Sequence, residues 1–125
     1  MTTQIDKLFL ALGALNAGVA VALGAIGAHA LKNRLSPKMV GIYHTGSQYH
    51  LYHALGLMLV GLMALQRPES KLIPWSAGLM LTGTVLFSGS LYLLAITSKG
   101  WLGAVTPVGG LLLIAAWLVL AMGIL

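Results

Sequence analysis

Residues 8–31 read LFLALGALNAGVAVALGAIGAHAL, an apolar run whose only strongly polar members are Asn16 and His29. At ~1.5 Å per helical residue such a run can cross a hydrocarbon layer of about 30 Å. A secretory leader is the competing reading, because Lys7 precedes the run and Ala28-His29-Ala30 looks like an A-x-A cleavage site. The run exceeds the ~7–15 residues of a usual leader core, and the remainder of the chain is too apolar to be secreted into water. A first membrane helix over 8–31 is therefore expected.

Composition carries this expectation to the whole chain. Of its 125 residues, 58% are hydrophobic and 7% charged, where soluble domains hold roughly 45–50% and about 25%. Asp6 and Glu69 are the acids, and the net charge is +5. The cations stand singly or in twos and threes between apolar runs, as membrane loops do, and nowhere form the dense patch that binds nucleic acid. The absence of cysteine removes disulfides, thiolate metal sites and thiol catalysis. A chain of this length supplies one domain, taken here as 1–125.

Beyond the first run, Lys32, Arg34 and Lys38 mark a polar connection in which Ser36 and Pro37 form an N-cap and first-turn proline. The second helix is expected over 37–65. Its strictly apolar part, from about Leu51 to Leu65, falls short of the ~20 residues of a span, so crossing requires Ser47, Gln48, Tyr49 and His50 to enter the bilayer. Residues 66–71 make a hydrophilic turn, Pro74 and Trp75 open a third helix over 74–96, and Thr106 with Pro107 repeats the cap-plus-proline start of a fourth over 106–125. The expected class is all-α: an antiparallel bundle of four transmembrane helices with both termini on one side. Lys7, Arg67 and Lys71 on that side face Lys32, Arg34, Lys38 and Lys99 on the other, and three against four does not fix the orientation.

Inside lipid, helices associate through small residues and hydrogen bonds. At 100° per residue, Gly13, Ala17, Ala20, Gly24 and Gly27 share a line on the first helix. Tyr43, Gly46, His50, Leu57, Gly61 and Ala64 do so on the second, and Gly78, Thr82, Val85, Gly89 and Tyr92 on the third. Each line is expected to face a neighbour. Gly109 and Gly110 are read as packing positions, with a second candidate role in which the amides opening the fourth helix hold an anionic headgroup.

The polar constellation is His29, His44, His50 and His53 with Tyr43, Tyr49, Tyr52 and Gln48, all expected near one membrane surface. The candidate cluster is His29, His50, His53, Tyr49 and Gln48. Histidine and tyrosine suit an interface as structural residues, while His50 and His53, three apart, have a spacing that could also ligate metal or haem. No carboxylate is near enough in sequence to complete a metal site, so no metal and no cofactor are expected. Ser88 and Ser90 lack the Gly-x-Ser-x-Gly elbow of a hydrolase, and no catalytic residue is assigned.

Several strings resemble a known family. Gly24-Ala25-Ile26-Gly27-Ala28-His29-Ala30-Leu31, Tyr49-His50-Leu51-Tyr52-His53-Ala54-Leu55, Gly83-Thr84-Val85-Leu86-Phe87-Ser88-Gly89-Ser90-Leu91-Tyr92 and Thr106-Pro107-Val108-Gly109-Gly110 with Trp117 are similar, in order along the chain, to the small membrane proteins grouped as domain of unknown function 423. The resemblance implies a multi-pass bacterial inner-membrane protein of four helices, similar to eukaryotic transmembrane protein 256, and brings no reaction with it. The expected role is non-enzymatic: a structural or accessory bundle that contacts lipid headgroups and joins copies of itself or a larger membrane complex, with no nucleic-acid partner. Rival expectations are an oligomeric transporter or channel for a small solute or proton, and a haem or quinone site at His29, His50 and His53.

Overall fold

The computed structural model describes residues 2–125, with side chains from Gln4 onward. Four long helices account for most of them: α1 (Thr2–Ile26), α2 (Pro37–Gln66), α3 (Leu72–Thr97) and α4 (Thr106–Ile124). There is no strand among the described residues. Three stretches are long and apolar enough to cross a membrane, namely Gln4–Leu31, Leu72–Thr97 and Gly100–Ile124.

Local chemistry explains where the helices begin and end. Ser36 is extended (φ −62°, ψ 157°) and its Oγ accepts the Met39 amide, while Pro37 takes the first turn of α2. α3 ends on Ser98 at φ 57°, a left-handed residue whose amide closes on the Leu94 carbonyl. α1 does not stop at Ile26 but widens into a π turn over Gly27–Leu31. The Tyr43 hydroxyl donates to the Leu23 carbonyl, one turn before the widening.

α4 opens differently from the expectation. Thr106 is not its cap: a 3-10 turn over Gly100–Ala104 leads straight in, and the amides of Val108 and Gly109 bond to the Val105 carbonyl. The Thr106 hydroxyl points instead to Ser90 of α3, 2.6 Å away. With the Val108 and Gly109 amides already bonded, the headgroup role considered for the start of α4 loses its donors there.

Consecutive helices lie side by side and run in opposite directions. On α1, a Cβ placed on Gly13 would stand 2.8 Å from the Met58 amide nitrogen, and Gly27 fits beneath the Tyr43 ring. Gly61 of α2 lies against Asp6 and Leu10, whereas Gly46 of the same line faces Leu91 and Ser88 of α3. The third helix departs from the expectation. Gly78, Thr82 and Val85 are exposed, and Gly78 and Gly89 have open space where a side chain would be. The buried line of α3 is Ile73, Ala77, Met80, Thr84, Ser88, Leu91 and Ala95, and its close-approach glycine is Gly83, against Leu113 of α4. In a helix apolar on every side the hydropathy pattern carries no face, and a stripe of small residues by itself does not identify one.

The apolar core lies toward the end that holds the 67–71 turn, where Leu57, Val60, Ala64, Ile73, Ala77, Met80, Leu113, Ala116 and Leu120 come together. There Ser76 donates to the Ala116 carbonyl at 2.7 Å. Arg67 and Ser70 reach across the turn to the last carbonyls of α4, Ile124 and Gly123. Trp75, 70% exposed, and Trp101, 66% exposed, mark opposite ends of the molecule, as in interfacial aromatic belts.

Candidate functional site

The polar interior is built around two histidines of α2. His50 is 6% exposed and His53 7% exposed. Each uses both ring nitrogens. His50 Nε2 lies 3.1 Å from Asn16 Oδ1, and because the Asn16 amide nitrogen donates to the Leu12 carbonyl, Oδ1 is the acceptor and Nε2 carries the proton. Nδ1 is then free to accept the Tyr92 hydroxyl at 2.9 Å. Three helices are joined in this way: α1 through Asn16, α2 through His50 and α3 through Tyr92.

His53 turns to another neighbour. Its Nδ1 donates to the Tyr49 carbonyl at 2.7 Å, and its Nε2 accepts the Trp117 indole N–H at 3.0 Å. A carbonyl on one side and an N–H on the other leave one neutral tautomer that suits both. Here α2 is tied to α4. The Tyr49 ring lies over Phe87 at 5.0 Å between centroids, with its outer side exposed.

These contacts correct the expected depth of the histidines. Asn16 lies about 18 Å along the helix from Gln4 and about 23 Å from Leu31, so His50 sits at mid-height, well away from either end. The reason is the length of α2: it starts at Pro37, about 20 Å of helix before His50. His29 and His44 remain at the end of the molecule and are exposed.

The expected cluster of His29, His50, His53, Tyr49 and Gln48 is consequently not one site. Thirteen residues separate Asn16 from His29 along α1, about 20 Å; Gln48 faces outward; and the two buried rings face different helices. Both nitrogens of each ring are engaged, so ligating haem iron would break one of these hydrogen bonds. Among the described residues no three His, Asp or Glu side chains are placed to hold a metal ion together.

The positions read as packing sites fall into two groups. Gly24 faces Ser47, Gly27 faces Tyr43, and Gly109 is pressed against the Phe87 backbone, with 2.8 Å between a built Cβ and the Phe87 Cα. Ser90 meets Thr106, and Gly110 lies under the Phe87 ring. Gly89 is open, Pro107 is exposed and Tyr92 belongs to the polar set. Ser88 is buried, and its Oγ has no hydrogen-bond partner among the described residues. Sequence reasoning alone misses Asn16, although a lone amide in the middle of an apolar run is itself a signal of an interhelical bond. It also leaves Trp117 without a partner.

Comparison with known proteins agrees with this outline. The profile of the family described as "Protein of unknown function (DUF423)" matches residues 23–110. The chain belongs to this family. The DUF423 match takes in the π turn, all of α2 and α3 and the opening of α4. Relatives of similar length carry the name UPF0382 membrane protein. One, YwdK of Bacillus subtilis, is 46% identical over 91% of this chain and 93% of its own; one from Staphylococcus epidermidis is 47% identical over 95% and 96%; and one from Staphylococcus aureus is 40% identical over 91% and 92%. No solved structure matches the chain. The protein is a multi-pass membrane protein of the DUF423 family, and neither the family description nor the relatives' names point to an enzymatic activity.

Proposed function

We propose that this chain is an antiparallel bundle of four transmembrane helices serving as a non-enzymatic structural or accessory component of a membrane complex, with its ends against lipid headgroups. The observation that carries this reading is that the interior polar groups are largely spent on one another across helices. Asn16, His50 and Tyr92 answer each other, as do His53 and Trp117, and Ser90 and Thr106. Groups bonded in this way hold helices together in a medium that offers no competing water.

The fourth span in this reading is α2, and its burial pattern supports it. Of the polar residues that lower its hydropathy, His50 and His53 point inward and Gln48 outward, while Tyr52, Leu55, Leu59 and Leu62 also point outward. A span needs an apolar lipid-facing side, and from Tyr52 to Leu62 α2 has one. If α2 crosses, the 32–36 and 67–71 connections lie on opposite sides. Because the chain has no cysteine, single cysteines at Asn33→Cys and Glu69→Cys are unique labels. An impermeant maleimide applied to sealed vesicles is expected to reach one and not the other; labelling of both from the same side would refute the fourth span.

The accessory role makes a separate prediction. After extraction in a mild detergent the protein is expected to migrate as an oligomer or with a partner, colourless and without hydrolytic activity. A monomer with a turnover of its own would overturn the reading. The permeation reading has weaker support, since the Tyr92–His50–Asn16 chain ends on the Leu12 carbonyl and not at either membrane face.

A further inference from the structure

α1 and α3 both lie against α2 and barely touch each other. Between them runs a cleft of about 250 Å³, with Asn16 and Leu23 on one wall, Thr84, Ser88 and Tyr92 on the other and His50 as its floor. Val85 stands at its mouth and is 62% exposed. Because Asn16 is at mid-height, the cleft opens sideways toward the middle of the hydrocarbon, where polar atoms without partners are expensive.

Its polar lining has capacity to spare. One amide hydrogen of Asn16 goes to the Leu12 carbonyl and the other has no acceptor among the described residues; the oxygens of Thr84 and Tyr92, whose hydrogens go to Met80 and His50, can still accept. Ser88 belongs to the same wall, but its hydroxyl is shielded from the cleft. No Lys, Arg, Asp or Glu lines the cleft, so an ion would enter without a countercharge. The volume gives room for one ring or a short ester head.

We propose that this cleft binds the head of a neutral, lipid-soluble molecule bearing a carbonyl or hydroxyl group, which enters from the bilayer past Val85 and hydrogen-bonds with Asn16 and the Tyr92 oxygen. The inference goes beyond the accessory role and does not depend on it. Its ligand chemistry has two natural sources, a ring carbonyl and a glyceride ester or alcohol, and the test separates them.

The full chain is placed in phosphatidylcholine nanodiscs with its histidine rings labelled with nitrogen-15. Three probes are titrated in: a decyl-substituted benzoquinone, a monoacylglycerol and decane. At least one of the two polar probes is expected to shift the His50 ring resonances saturably while leaving those of His29 and His44 in place, and decane is expected to do nothing. Val85→Trp, which fills the mouth from an exposed position, is expected to weaken that binding at least tenfold, and Val85→Leu to weaken it less than threefold. Unchanged His53 resonances in both variants would show that the bundle is intact. The proposal is overturned if neither polar probe moves His50, if decane moves it equally, or if Val85→Trp binds as well as the parent. It is also overturned if Val85→Trp alters only the oligomer size, which would assign the cleft to a second copy.

Discussion

Gly109→Ala is expected to break the packing of α4 on α3 and to lower stability by about 3 kcal/mol, the upper end of what overpacking costs. Most added methyl groups in a core meet the tip of a side chain that can rotate away. Here the new carbon would meet backbone, 2.8 Å from the Phe87 Cα and 2.9 Å from the Leu86 carbonyl carbon, and backbone inside a helix cannot yield without breaking its own hydrogen bonds. The helices would have to part, straining the Ser76–Ala116 and Ser90–Thr106 bonds on either side of the contact. Reversible unfolding in mixed micelles measures the loss. Gly78→Ala, where a Cβ meets open space, is the control: alanine exceeds glycine in helix propensity by about 1 kcal/mol, so this variant should be neutral or slightly more stable. Equal behaviour of the two would refute the close approach.

His50→Ala is expected to cost about 2–4 kcal/mol, since it strands two groups at once. The Tyr92 hydroxyl loses its acceptor and the Asn16 carbonyl loses its donor, and a buried polar group left unanswered costs about 1–3 kcal/mol. Interhelical hydrogen bonds in membranes average nearer ~0.6 kcal/mol, because the unfolded chain in lipid finds other partners. A ring at mid-height with little exposure lies above that average. Tyr92→Phe and Asn16→Ala remove one partner each and are expected to cost about 1 kcal/mol apiece. Combined with His50→Ala, each should add little, which is the signature of a shared network. Strict additivity in these cycles would mean that the ring does not bond to either partner.

Much of the architecture is legible in the sequence because membranes impose a coarse rule. Apolar runs too long for a soluble core, separated by short charged turns, leave helices as the economical way to satisfy the backbone, and Ser36 with Pro37 marks the start of α2 through chemistry confined to a few residues. Gly13 and Gly61 are legible for a similar reason, since each is the small residue at a close approach between α1 and α2. What could not be read depends on partners distant in sequence. Thr106 has the composition of a cap, yet it belongs to Ser90. The outward stripe of α3 is as rich in small residues as its buried face. The depth of His50 is set by where α2 begins and by Asn16, 34 residues away, and the partner of His53 is 64 residues away. Spacing along one helix reports which residues share a face, but not which helix that face meets.

That last separation bears on how the protein is made. A ribosome adding ~5–20 residues per second needs roughly 3–13 s to go from His53 to Trp117, and Tyr92 is likewise synthesised after its acceptor. On the four-span arrangement, the second helix leaves the ribosome with these bonds unmade, while α1, supplying Asn16 and the glycine-lined contact, is already synthesised. The first two helices are thus suited to partition into the bilayer together as a hairpin, with the later pair completing ties that the earlier one holds open.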